Sequence, residues 1–167
     1  MRQVLVESGM RIPYQDDACY MIEKSALVAR LQGVKIVEFV QANGKTKVVM
    51  LEAKTSAPQP TNKSDYDEYL KEIREKFQNS ILILNAARLK RRKDIFDELP
   101  QPLKDVDYKK ANYWLYFVIK DSKDDWIINL SGDLHRQLHP FLKSWNIPDA
   151  NFIVANESLA KELRIIE

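Results

Sequence analysis

The stretch EFVQANGKTKVVMLEAK, Glu38–Lys54, decides how the rest of the chain is read. Two apolar runs, Val34–Gln41 and Lys47–Lys54, flank Ala42-Asn43-Gly44, which is a hairpin signal. The second run opens as a buried strand, Val-Val-Met-Leu, and then continues into Glu52 and Lys54. Side chains alternate along a strand, so Glu52 and Lys54 point the same way. Whether Glu38 joins them depends on the turn. A two-residue Asn43-Gly44 turn pairs Glu38 with Val49 and puts it on the opposite face. A three-residue Ala42–Gly44 loop pairs Glu38 with Val48, and Glu38, Val48, Met50, Glu52 and Lys54 then share one face. Three-residue loops favour a left-handed last residue, which Gly44 supplies without steric cost. The expected register therefore unites the carboxylates, and leaves Val37, Phe39, Val49, Leu51 and Ala53 on the other face.

Both faces of this hairpin are mostly apolar, as in central strands. Two carboxylates placed there cost several kcal/mol unless charge or hydrogen bonds compensate. A divalent cation compensates well, because hard cations prefer oxygen ligands. Lys54 beside it would hold a water and neutralise charge growing on a phosphate. The competing explanation is a strand end whose charges reach water as ion pairs of little value.

Around the hairpin the chain reads as a mixed α/β domain spanning residues 1–167. Gln3–Glu7 is a weak strand, and Asp16 and Asp17 cap a helix through Leu31 that Gly33 ends. Thr55–Ser64 is a loop with two prolines. Ser64 then opens a helix to Leu89, with Asp67 as a short relative of the capping-box Glu. Its Tyr66, Leu70, Ile73, Phe77, Ile81 and Leu84 recur at steps of three and four, one apolar stripe. Tyr113–Ile119 is a buried strand rich in aromatic and β-branched residues. A helix over Ser131–Leu138, a strand over Asn151–Ala155 and a helix over Glu157–Leu163 capped by Asn156 complete the order (β)αββαβαβα. Helices between the later strands imply crossovers and some parallel pairing.

Glu38-Phe39, a short hairpin, and an apolar run into Glu52-Ala53-Lys54 resemble the PD-(D/E)XK nuclease superfamily. The resemblance covers roughly Asp16–Ile119 and implies a mixed central sheet flanked by helices, with a restriction-endonuclease-like αβββαβ core. It implies Glu38 and Glu52 as metal ligands, the Ala53 carbonyl as a third oxygen, and Lys54 as the residue orienting the attacking water. Glu23 is the candidate for an accessory acid on the preceding helix. Lys76 and Gln78 are the candidates for a polar residue from the following helix. Glu38 stands where the family more often has Asp, and Val37 where it has Pro. The implied protein is a Mg²⁺- or Mn²⁺-dependent endonuclease acting on DNA, with RNA the lesser expectation. The alternative is a nucleic-acid-binding or protein-interaction domain that keeps the fold without cutting. A homodimer is the assembly a double-strand cutter would use, although no residue specifies one.

The bulk composition narrows the field further. A hydrophobic content of 45% and charged content of 30% suit a soluble globular chain. No apolar run is long enough to span a membrane, and the first residues meet Glu and Gly too soon for a secretory signal. The single cysteine, Cys19, permits no internal disulfide, which makes a reducing cytoplasm the expected setting. No phosphate-binding glycine loop occurs. The formal charge of +2 does not mark a nucleic-acid binder by itself, so contacts with DNA would come from local clusters. Arg88, Lys90, Arg91, Arg92 and Lys93 form one such cluster, equally readable as cations at a helix C-terminus. His135 and His139 are four apart, but Pro140 and the lack of a third ligand favour a surface explanation. Cys19 has no His partner that would make it a nucleophile.

Overall fold

The hairpin forms, in a register displaced from the expected one. In a computed structural model, residues 1–167 are described, with side-chain surroundings for all but Ala26 and Leu27. The elements in chain order are β1 (Arg2–Glu7), β2 (Met10–Gln15), β3 (Cys19–Tyr20), α1 (Ala26–Arg30), β4 (Phe39–Ala42), β5 (Lys47–Lys54) and α2 (Lys63–Arg88). There follow α3 (Lys93–Glu98), α4 (Gln101–Asp105), β6 (Asn112–Ile119), α5 (Asp124–Ser144), β7 (Phe152–Asn156) and α6 (Glu157–Glu162). Strands β3 to β7 form a mixed sheet in sequence order, antiparallel from β3 to β5 and parallel from β5 to β7.

Ala42, not Glu38, lies opposite Val48, and Phe39 faces Leu51. The Asn43 N–H donates to the Lys47 carbonyl at 2.8 Å, so the loop is Gly44-Lys45-Thr46 rather than Ala42–Gly44. Gly44 supplies a φ of +71° at its first position instead of its last. The loop moves by two residues and the pairing by four, an even slip that leaves every side chain on its expected face. Carrying the register one step on, with the Glu38 N–H donating to the Leu51 carbonyl at 3.1 Å, sets Glu38 opposite Glu52.

Strand β4 also starts later than Val34. The Val37 N–H donates not to a strand but to the hydroxyl of Ser80 on α2, at 3.0 Å. Ser80 is fully buried and donates in turn to the Lys76 carbonyl at 2.7 Å. One hydroxyl thus ties the entry of β4 to the helix above it.

The helix expected over Asp16–Leu31 is not one element. It breaks into a 3₁₀ turn at Asp16–Ala18, β3, a second 3₁₀ turn at Ile22–Lys24, and α1. The buried residues Ala18, Tyr20 and Ile22 recur every second position, which is the period of a strand and not of a helix. Strand β2 went unread because Pro13 sits inside it, and proline demotes a run unless the strand is at an edge. Here β1 and β2 form a separate two-stranded sheet, closed by Ser8 and Gly9 with φ of 50° and 72°. Two consecutive positive φ values are the mark of a tight type I′ turn.

Helix α2 runs as its stripe predicts. Helix α5 is longer than Ser131–Leu138, because Ile127, Leu130, Leu134, Leu138 and Leu142 extend one buried stripe through Pro140. Both helices pack on the sheet face that carries Val40, Ala42, Val48 and Met50. The β1–β2 hairpin and α6 cover the other face through Met10, Ile12, Phe39, Leu51, Ala53 and Ile165. Asn156 caps α6 as expected, its side-chain oxygen accepting from the Leu159 N–H at 2.9 Å. No described helix is long and apolar enough to cross a membrane.

Removing the Ser80 hydroxyl leaves the Val37 N–H without its partner. Ser80→Ala is expected to destabilise the fold by about 1–3 kcal/mol in urea unfolding. A change below about 0.5 kcal/mol, the range of an ordinary surface substitution, would mean that the tie does not hold β4 in place.

Candidate active site

The even-numbered face of β4 and β5 meets the first half of α2, and there the charges converge. Glu52 is fully buried on β5. The Lys76 ammonium lies 2.7 Å from its Oε1, and that of Lys54 lies 3.6 Å from the same atom. Neither approach is aligned as a hydrogen bond, and Oε2 has no partner among the described residues. Lys54 donates to Glu72 Oε1 at 3.1 Å, and Lys35 approaches the other oxygen of Glu72 at 3.6 Å. Lys76 also reaches Glu23 Oε1 at 3.7 Å.

Glu38 is buried too, 6% exposed, and no cation approaches it within ion-pair distance among the described residues. Burial, a hydrogen bond shared with Glu23, and the charges of Glu52, Glu23 and Glu7 push its carboxyl far above the usual range. For Glu52, burial outweighs the attraction of Lys76 and Lys54 and pushes the value up to about 7. Lys54 behaves oppositely. Burial alone would lower it, but Glu52, Glu72 and Glu38 raise it, so it stays an ammonium.

Ala53 turns its side chain to the opposite core, while its carbonyl accepts from Ser8 Oγ at 3.3 Å. That contact comes from the turn of the β1–β2 hairpin. Glu38, Glu52 and the Ala53 carbonyl are therefore hard oxygen donors on neighbouring strands. The orphaned Oε2 of a fully buried carboxylate is the atom that suits a cation best. Among the described residues no three Asp, Glu, His or Cys side chains are grouped to hold an ion, so such a site would complete its shell with the carbonyl and water.

Of the accessory candidates, Glu23 and Lys76 are brought to the site and Gln78 is not. Two helical positions after Lys76 means a rotation of about 200°, which turns Gln78 away from Glu52. The basic cluster is also elsewhere, roughly 18 Å along α2 from Lys76 at 1.5 Å per residue. Much of it is engaged within the protein. Arg88 donates to the Lys104 carbonyl and stacks on Tyr108, Lys90 lies 5.4 Å from the Phe96 ring centre, and Arg92 pairs with Asp94 at 2.8 Å. Arg91 is exposed. His139 lies 3.4 Å from Asp149, while the His135 ring meets the Ser131 and Asp149 carbonyls.

Sequence reasoning missed Glu7, Ser8, Lys35 and Glu72. Glu72 carried a usable signal, since it sits four residues before Lys76 and so on the same flank of α2. Glu7 and Ser8 carried none while β2 went unread.

The raised carboxyls give a sign to the pH dependence of stability. Between the unfolded value of 4.5 and the folded value of about 7, the native state holds more protons on Glu52 than the unfolded chain does. Stability from this group is thus full below about pH 4.5 and falls as pH rises through 7. The loss is on the order of 3 kcal/mol at 1.36 kcal/mol per unit. Glu52→Gln should flatten that slope in unfolding measurements, although it lowers stability overall by stranding Lys76. Glu38→Gln strands no cation and should raise Tm at pH 8 while changing little near pH 4.5. An unchanged pH slope in both variants would refute the assignment of these buried carboxyls.

No family model, curated protein or solved structure matches the chain, so its function has to be argued from this cluster of charges.

Proposed function

We propose that the protein is a Mg²⁺- or Mn²⁺-dependent nuclease of the PD-(D/E)XK kind, hydrolysing phosphodiester bonds in DNA. The observation that carries this is the fully buried Glu52, one oxygen of which has no partner, with the buried Glu38 opposite it at the entry to the adjoining strand β4. Burying two carboxylates side by side weakens a fold, and replacing buried ion pairs with apolar residues is often stabilising. A bound cation would offset that cost.

Glu38, Glu52 and the Ala53 carbonyl would hold the ion. Once bound, it supplies Lewis-acid polarisation of the phosphate and an acidified water. The remaining work falls to side chains of this chain. Lys54, kept cationic by Glu52 and Glu72, orients the attacking water and offsets charge developing on the phosphate oxygens. It is not a general base, because it does not give up its proton near neutral pH. Glu72 fixes the direction of the Lys54 ammonium at 3.1 Å. Lys76 engages Oε1 of Glu52 and leaves Oε2 for ligation. Glu23, half-exposed at the rim, takes the second contact of Lys76. A reducing cytoplasm suits the lone half-buried Cys19, whose thiol burial pushes up to about 12 and so keeps unreactive.

One observation favours a second function. The Lys76 ammonium already balances Glu52 without a metal, as it would in a domain that keeps the fold and binds nucleic acid or protein without cutting.

Cleavage of single-stranded DNA and nicking of supercoiled plasmid in Mg²⁺ or Mn²⁺ separate the two. Wild-type protein is expected to cut, and Glu52→Ala and Lys54→Ala to lower the rate by roughly 100-fold or more. Equal activity in all three proteins removes the catalytic assignment. Absence of activity, with DNA affinity that falls steeply as salt rises, supports the binding domain.

A further inference from the structure

A cavity of about 230 Å³ opens immediately beyond the charged cluster. Pro58, Pro60, Tyr66 and Trp126 give it apolar walls, and Asp121 and Asn129 add polar edges. Among the described residues, neither the Asp121 carboxylate nor the Asn129 amide has a hydrogen-bond partner. Trp126, in the first turn of α5, is 41% exposed, unusual for the largest apolar side chain. The Lys123 ammonium stands 5.4 Å from its ring centre.

One wall leaves β5, the strand that carries Glu52 and Lys54, and the other leaves its parallel neighbour β6. Ala57, on the cavity wall, follows Lys54 by three residues, a reach of at most roughly 10 Å. The Lys120 N–H donates to the Lys54 carbonyl at 3.0 Å and the Asp121 N–H to the Thr55 carbonyl at 2.8 Å. These bonds lock the β6–α5 connection beside the β5–α2 connection. At a stacked rise of about 3.4 Å per nucleotide, the cavity lies within roughly three nucleotides of Lys54.

The size excludes a large ligand, since pockets for drug-sized molecules run from about 300 to 1,000 Å³. What fits is one flat ring system with hydrogen-bonding edges. An indole face with an ammonium beside it is the combination that single-strand binders use, stacking for the base and charge for the backbone. A base inside a duplex cannot enter such a cavity without leaving its stack.

We propose that this cavity receives an unpaired nucleobase of the DNA strand whose phosphodiester lies at Glu38, Glu52 and Lys54. The substrate class is then single-stranded DNA, or a strand frayed near its end, rather than intact duplex. The proposal rests on the nuclease function above and adds the base site to it.

Fluorescence anisotropy in EDTA tests it without any cleavage. The probe is labelled oligothymidylate of about 12 nucleotides, within the site sizes that such grooves take. It is used as a single strand, as a blunt duplex, and as single strands with one abasic position moved along the chain. Wild type is expected to bind the single strand more tightly than the duplex, and to lose roughly 10-fold when the abasic position falls in the cavity. Trp126→Ala should lose the same factor on the intact strand, ignore the abasic position, and keep the salt slope, since no charge is removed. Trp126→Phe should retain most of the affinity, and its thermal unfolding checks that the surface is undisturbed. Unchanged single-strand binding by Trp126→Ala, or tighter binding of duplex by wild type, overturns the base site. The expected binding pattern without cleavage of single-stranded DNA in Mg²⁺ or Mn²⁺ overturns the nuclease function and keeps the base site. No binding of any probe overturns both.

Discussion

The structure turns on the cost of burying Glu52. A carboxylate with no exposure has to be neutralised, and the fold answers with ammoniums from two directions, Lys54 along the same strand and Lys76 from the helix above. Neither satisfies Oε2. Glu38 adds a second acid beside it, and Glu7, Glu23 and Glu72 crowd the same end of the sheet. Five glutamates against Lys35, Lys54 and Lys76 leave the cluster short of positive charge. Protons make up part of the shortfall, which is why both buried carboxyls titrate high, and a divalent ion would displace those protons on binding.

Helix α2 holds the arrangement together through a polar seam at four-residue intervals. Glu72 grips Lys54 beyond the end of the strand, Lys76 meets Glu52 within the core, and Ser80 receives the Val37 N–H just before Glu38. Side chains four apart lie above one another on a helix. This one face therefore touches, in turn, the lysine and the two acids' strands. The apolar stripe of Tyr66, Leu70, Ile73, Phe77, Ile81 and Leu84 runs beside the seam and presses it onto the sheet. Packing energy thus maintains an electrostatic arrangement that would not hold itself.

The candidate site was more legible in the sequence than its frame. Glu38, Glu52 and Lys54 could be set on one face because strand alternation depends only on parity, and the two-residue error in the loop preserved parity. The long helix α2 was readable because its apolar stripe is continuous over several turns. The segment from Asp16 to Leu31 was misread because acids resembling a cap and a terminal Gly33 outweighed the alternation of Ala18, Tyr20 and Ile22. Strand β2 was hidden by Pro13, a penalty that vanishes where the partner on one side is solvent. Glu7 and Ser8 depend on that hairpin, so no local pattern could have linked them to a site some thirty residues on. The basic run after Arg88 illustrates the reverse. Charge density in sequence suggested a phosphate footprint, but Tyr108, Phe96 and Asp94 engage several of those side chains.

Sheet topology explains why an ion site and a ring-sized cavity would be neighbours. The sheet changes from antiparallel to parallel pairing at β5, so β5 and β6 run the same way and end at the same edge. Glu52 and Lys54 end β5, and the loops leaving β5 and β6 diverge around Trp126 and the proline walls. An antiparallel partner in place of β6 would return directly as a hairpin and fill that space with a turn. The long crossover through α2, α3 and α4 instead sends the chain away and brings it back in parallel, so that the two strands end side by side at one edge. Chemistry from the strand ends and recognition from the loops then share a border, fixed by the backbone bonds of Lys120 and Asp121 to Lys54 and Thr55.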